Sequence, residues 1–217
     1  MKNERLGATV LSALLISNVD AGLASSLNLK PYHRSLGIIT SDCDDVTYVA
    51  LDEATKAVDV EVVYARSMYA GAGNASTKLA GEVIGIIAGP NPEEVRSGLD
   101  VVVQEIENGA SFYSANDDNS IPYFAHCISR AGTYLSEGAN AEEGTAIAYL
   151  IAPPAEAMLA LDAALKAADV TIGAFYGPPS ETNFAGGLLV GSQSACRAAC
   201  DAFANTVLTI AENPKNY

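Results

Sequence analysis

Along this chain, apolar β-branched runs alternate with Ala-, Leu-, Glu- and Lys-rich stretches, and the same alternation is gone through twice. In the first half, Leu36–Thr40 predicts a strand. Val46–Ala57, with apolar positions at helical spacing, predicts a helix. Val60–Tyr64 reads as a second strand, Ala70–Thr77 as a Gly/Ser/Asn-rich loop and Gly81–Ile87 as a third strand. Pro92–Ile106 closes the unit as a helix; Pro92 suits its first turn, where a missing N–H has no intrahelical partner to lose. The second half repeats this order as Ala146–Ala152, Ala155–Ala168, Val170–Tyr176, the loop Gly177–Asn183, Gly186–Val190 and Ser192–Ala211. Val10–Asn18 and Tyr123–Ser129 each predict one further strand ahead of a short helix. The expected fold class is α+β twice over, with helices against one face of a mainly antiparallel sheet.

Residue identities support a duplication. Asp52-Glu-Ala-Thr-Lys-Ala-Val-Asp-Val60 reappears as Asp162-Ala-Ala-Leu-Lys-Ala-Ala-Asp-Val170. Leu79-Ala-Gly-Glu-Val-Ile-Gly matches Phe184-Ala-Gly-Gly-Leu-Leu-Val, and the following stretches end in Glu107-Asn108 and Glu212-Asn213. A weaker echo relates Ile16-Ser17-Asn18 to Ile128-Ser129-Arg130. The series divides the chain into two domains, residues 1–110 and 111–217.

Composition narrows the function classes. With 49% of its 217 residues hydrophobic and 18% charged, the chain has the means to bury a core. Twelve basic side chains against 26 acidic ones give a formal charge of −14. Without a Lys/Arg cluster to neutralise phosphates, nucleic acid is not an expected partner, and an anionic membrane surface is disfavoured for the same reason. The purely apolar runs fall short of the ~20 residues of a membrane helix. Four scattered cysteines, Cys43, Cys127, Cys196 and Cys200, do not make a disulfide framework, so a reduced cytosolic setting is expected.

Motifs for chemistry are few. Gly71-Ala-Gly73-Asn-Ala-Ser76 lacks the third glycine of a dinucleotide fingerprint and reads as a loop. Asp42-Cys-Asp44-Asp45 starts like a calcium loop, but Val46 and Thr47 occupy positions that need an oxygen ligand and the turn glycine. His126-Cys127 with Cys196 and Cys200 would offer soft-metal ligands, since i,i+4 cysteines share a helix face; the alanine-rich surroundings favour buried structural thiols instead, and no metal is expected. No Gly-x-Ser-x-Gly elbow or Cys/His/Asx triad is present, and no enzyme is expected.

One asymmetry between the halves stands out. Aligned on the repeat, Asp44 and Asp45 fall opposite Pro154 and Ala155, and Glu82 opposite Gly187. Two readings stand side by side. In one, an aspartate caps a helix N-terminus and Glu82 is a solvated acid. In the other, the three carboxylates form a site for a small cation, in particular an amine.

Several strings resemble a known family: Ser35-Leu-Gly-Ile-Ile-Thr-Ser-Asp-Cys-Asp-Asp-Val-Thr-Tyr48, Asp52-Glu-Ala-Thr-Lys56, Tyr69-Ala-Gly71, Gly89-Pro-Asn-Pro92 and Pro178-Pro-Ser-Glu-Thr-Asn-Phe184. They are similar to the EutL family of ethanolamine-utilization microcompartment shell proteins over essentially the whole chain, diverging before about residue 30 and around Ala139–Glu143. The resemblance implies two fused, circularly permuted bacterial-microcompartment (BMC) domains. It implies a homotrimeric pseudohexamer packed edge to edge with other shell proteins, in the shell of a cytoplasmic organelle, with no catalytic residues and no required cofactor. It also implies a small pore in each subunit that binds ethanolamine through Asp44, Asp45 and Glu82, with Phe112 near by. Threefold closure would set Ala70, Gly71, Ala72, Gly73 and Asn74 of one loop, and Pro178, Pro179, Ser180, Glu181, Thr182, Asn183 and Phe184 of the other, around a gated central pore. By size, that pore would admit a cobalamin as cargo or pore-bound ligand. The rival reading is a soluble amine-binding sensor or accessory protein of ethanolamine catabolism.

Overall fold

The structure is a computed structural model and describes residues 2–68, 77, 79–178, 180 and 183–215. It divides into two compact units, one of residues 7–110 with 132–135, the other of residues 1–6, 111–131 and 136–217.

In the first unit, strands β2 (Val10–Ile16), β3 (Ser35–Ser41), β4 (Glu61–Ser67) and β5 (Val83–Gly89) form an antiparallel sheet in the order β2-β3-β5-β4. Helices α2 (Asp44–Ala57) and α3 (Pro92–Asn108) are fully formed, and α3 has Asn91 as N-cap, its side chain accepting the Glu94 N–H, with Pro92 just inside. Period-2 alternation decides what each sheet face carries. Ile39 and Ile87 are buried together with Val46, Leu51, Val95 and Val102, the apolar stripes of the two helices. Gly37 lets that packing come close, since a Cβ there would stand 2.8 Å from Leu99 Cγ. Leu36, Ile86 and Ala88 form a smaller apolar cluster with Leu27 and Leu29, which follow the short helix α1 (Ala21–Ser26).

The second unit repeats this order. Strands β7 (Pro122–Ile128), β8 (Ala146–Ala152), β9 (Val170–Tyr176) and β10 (Ala185–Gly191) lie as β7-β8-β10-β9, with helices α5 (Pro154–Ala167) and α6 (Gln193–Glu212). A short helix α4 (Thr133–Gly138) sits between β7 and β8, as α1 does between β2 and β3. Leu150, Ala157, Leu161, Leu189, Cys196, Cys200 and Phe203 share one core cluster. Burying each large apolar side chain there contributes roughly 1.5–3 kcal/mol.

Two strands were not foreseen. β1 (Arg5–Leu6) pairs with β6 (Phe112–Ser114) at the edge beyond β7, placing Leu6 opposite Phe112. Segments of two and three residues carry no readable alternation, so only tertiary pairing reveals them.

Candidate functional site

The acidic residues are placed by the end of β3. After Ser41 the chain turns through Asp42 and Cys43 into α2, so Asp44 and Asp45 fall in the first helical turn, where the helix dipole favours negative charge. Neither aspartate is the cap. Cys43 holds that position and makes no side-chain capping bond. Ser41 Oγ receives the Cys43 N–H at 3.1 Å instead, and Thr47 Oγ1 donates to the Cys43 carbonyl at 2.8 Å.

Both aspartates are buried, at 9% and 7% exposure. Asp44 Oδ1 accepts the Asp45 N–H at 2.9 Å, and its Oδ2 accepts the Ser67 hydroxyl at 2.6 Å. Ser67, the last residue of β4, has one hydroxyl proton and spends it on Asp44, so Tyr48 donates to Ser67 Oγ across their 2.6 Å contact. Tyr48, Ser67 and Asp44 thus form a relay of donors ending on a carboxylate. Asp42 Oδ1 accepts the Thr9 N–H at 2.6 Å on the exposed side.

Glu82 is fixed through its backbone. Its N–H donates to Ser41 O at 2.8 Å, and its carbonyl accepts the Met68 N–H at 2.6 Å, pinning it between the ends of β3 and β4. The turn into it needs Gly81, whose φ is +64° and whose Cβ, if present, would stand 2.2 Å from Ser41 O. Burial pushes the Glu82 carboxyl up from its ordinary value, and the negative charges of Asp44 and Asp42 push it further the same way. Burial, with Asp45, Asp44 and Asp42 adding to it, raises the Cys43 thiol well above its usual range.

Asp44, Asp45 and Glu82 therefore lie in one unit, around the β3–α2 junction. Phe112 belongs to the other unit, where its ring lies 5.1 Å from Phe124 and 6.0 Å edge-on from Phe184. The repeat alignment of Glu82 needs correction. Ser41 pairs with Val83 as Ala152 pairs with Ala185, so Glu82 is equivalent to Phe184, not Gly187. The asymmetry between the halves is thus a carboxylate in one and an aromatic ring in the other. Sequence reading missed Ser67, Tyr48 and Gly81; a serine ending a strand has no periodic or spacing signature, while the Gly-Glu pair ahead of Val83 was the available sign.

Of the loop residues, Ala70, Gly71, Ala72, Gly73, Asn74, Pro179, Glu181 and Thr182 lie outside the described residues. Pro178 and Asn183 are exposed, and Ser180 and Phe184 partly buried. The Ser180 N–H donates to Phe184 O at 2.8 Å and the Asn183 N–H to Ser180 O at 3.0 Å, with Asn183 in the left-handed region at φ 64°.

The cysteines on α6 are core residues. Cys196 Sγ meets Ala146 O at 3.4 Å, and burial drives the Cys200 thiol far up. His126 stacks on Phe124 at 5.7 Å. Among the described residues no group of three His, Cys, Asp or Glu side chains is arranged to hold a metal ion, and no described helix is long and apolar enough to cross a membrane.

Comparison with known proteins agrees with this architecture. The BMC domain model matches residues 35–117. The chain is 65% identical over 217 residues to the bacterial microcompartment shell protein EutL of Clostridium perfringens (strain 13 / Type A), covering 100% of both. The crystal structure of the ethanolamine utilization protein EutL from Leptotrichia buccalis C-1013-b superposes with a TM-score of 0.97 at 67% identity, covering 100% of both chains. The crystal structure of a trimeric bacterial microcompartment shell protein PduB shares the fold, with a TM-score of 0.78 at 21% identity, covering 99% of this chain and 95% of that one. Two antiparallel α+β units in tandem, carrying a BMC domain, define a bacterial microcompartment shell protein. Within that class, full-length identity of 65% decides the matter: the chain belongs to the EutL family of ethanolamine-utilization shell proteins.

Proposed function

We propose that this shell protein is a homotrimeric tile, packed edge to edge with other shell proteins, whose subunits each hold a small acidic pore for ethanolamine. The observation that carries the reading is Glu82. Its carboxyl is partly buried, and the charges acting on it, Asp44 and Asp42, are both negative. A small ammonium ion placed there relieves that repulsion and donates charge-assisted hydrogen bonds. Ethanolamine adds a hydroxyl that both donates and accepts, which suits a site already holding Ser67 and Tyr48 hydroxyls beside Asp44.

Threefold closure is supported by the trimeric description of PduB, which shares this fold. In such a ring the Ala70–Asn74 and Pro178–Phe184 loops line a central opening, which acts as a gate for a large cargo such as cobalamin. Ethanolamine biases that gate only by binding one state more tightly than the other.

Titration calorimetry of ethanolamine into the wild type and Glu82→Gln tests the site. Loss of a charge-assisted acceptor predicts about 10- to 100-fold weaker binding in the variant. Equal affinity for both proteins contradicts the assignment.

A further inference from the structure

Lys30-Pro-Tyr-His33 makes a turn just ahead of β3, closed by the His33 N–H donating to the Lys30 carbonyl at 3.0 Å. Side chains of this turn converge on one carboxylate, Glu61 at the start of β4. Lys30 Nζ stands 2.8 and 2.6 Å from its two oxygens, and the Tyr32 hydroxyl donates to Oε1. Those two donors are exposed to solvent, whereas the His33 side chain is only 1% exposed and meets the Tyr32 ring edge-on at 4.4 Å.

The tautomer of that ring follows from its bonds. His33 Nδ1 accepts the Lys30 backbone N–H at 3.3 Å, so the neutral imidazole carries its proton on Nε2. The Nε2–H is buried without a hydrogen-bond partner among the described residues and stops 3.8 Å from Glu61 Oε2. A second proton has only Nδ1 to go to, where it meets the Lys30 N–H, and taking it up breaks that bond of the turn. Burial is the largest influence on the imidazole and lowers it from its ordinary 6.5; Glu61 opposes this, Lys30 adds to it and Asp59 opposes it.

The turn holds down an apolar cover. Leu27 and Leu29, which lead into it, pack against Leu36, Ile86 and Ala88 on the first sheet. Past the turn the chain is tied independently, since the Arg34 N–H donates to Gly89 O and its carbonyl accepts the Val19 N–H, both at 2.9 Å. In the second unit Thr145 corresponds to Arg34, its carbonyl accepting the Ala131 N–H at 2.9 Å. Strand register then puts Gly144 in the place of His33 and Thr171 in the place of Glu61, so the titrating pair belongs to the first repeat.

We infer that His33 and Glu61 form an acid-sensitive latch, which fastens residues 27–33 over the first sheet while the imidazole is neutral and releases them when it takes up a proton. The folded state binds this proton less readily than the unfolded chain. The latch is therefore closed above the ordinary value of 6.5 and opens as pH falls through the lower folded-state value.

Hydrogen exchange of the full chain, followed by mass spectrometry at about pH 7.5 and about pH 5 with times scaled for the intrinsic rate, reads the latch locally. Amides of residues 27–33 are expected to lose roughly 10-fold or more of their protection at the lower pH while β3 and β5 keep theirs. His33→Asn keeps an acceptor in the place of Nδ1 and takes up no proton, so its protection there is expected to be the same at both pH values. Unchanged protection in the wild type overturns the inference, and so does an equal loss in His33→Asn. His126→Gln covers the case in which His33→Asn does not fold. Its single remaining imidazole is His33, and an NMR titration of the Cε1–H signal is expected to have its midpoint below 6.5. A midpoint at or above 6.5 also overturns the inference.

Discussion

Asp52 accepts the Gly132 backbone N–H at 2.7 Å, across eighty positions of sequence, and the Leu135 N–H at 2.8 Å. A carboxylate on one helix thereby does the work of an N-cap for another, satisfying two donors at the start of α4. Burial raises the Asp52 carboxyl, against the lowering effect of the two N–H groups and Lys56.

Replacing Asp52 with Ala removes the carboxylate that accepts both N–H groups, at about 1–3 kcal/mol each. The expected loss is on the order of 3 kcal/mol in urea unfolding. Removing an exposed acid such as Glu212, which pairs with Lys2, is expected to cost under about 1 kcal/mol. Equal costs for the two substitutions would mean that the Asp52 contact is not made in solution.

Gly81 tests how the backbone aims Glu82. Alanine there meets a positive φ and an approach of 2.2 Å to a carbonyl oxygen that has no freedom to retreat, since Ser41 O already receives the Glu82 N–H. Gly81→Ala is expected to cost on the order of 2–4 kcal/mol in stability and to weaken ethanolamine binding. A variant of wild-type stability and affinity would show that the turn plays no part in placing the acid.

The raised Glu82 carboxyl fixes a sign for pH dependence. Between its ordinary value of 4.5 and its higher folded-state value, the native state binds more protons than the unfolded one, so stability falls as pH rises through that window. Glu82→Gln is therefore expected to raise Tm near pH 7 and to lose that advantage below the window. A Tm lowered at pH 7 would contradict the direction of the shift.

Ligand binding has the opposite dependence. An ammonium ion favours the ionised carboxyl, so uptake releases a proton where Glu82 is protonated, and affinity is expected to fall as pH drops through the raised value. Calorimetry in buffers of differing ionisation enthalpy reads this proton directly. Affinity that strengthens on acidification would rule out Glu82 as the cation's partner.

Much of this architecture is legible in the sequence. The duplicated strand and helix order follows from periodicity, and α3 begins at Pro92 as proline chemistry requires. What escaped was set by contacts distant in sequence. Asp52 and Asp162 are both aspartates four residues before a lysine on a helix, and only the arrival of residues 132–135 separates a buried cap from a solvated pair. The match of Glu82 to Gly187 failed because the segment between β4 and β5 is longer than that between β9 and β10, which shifts any alignment carried on residue identity. From sequence either Asp44 or Asp45 reads as the cap ahead of an apolar run, whereas the helix begins at Asp44 itself and the cap position falls on Cys43.

Native mass spectrometry with and without ethanolamine tests the central claim most directly. The tile with a substrate pore predicts a species of about 67 kDa, three times the 22.4 kDa chain, taking up one ethanolamine per chain and losing that uptake in Glu82→Ala. A monomer, or a trimer that takes up ethanolamine equally well without Glu82, would contradict it.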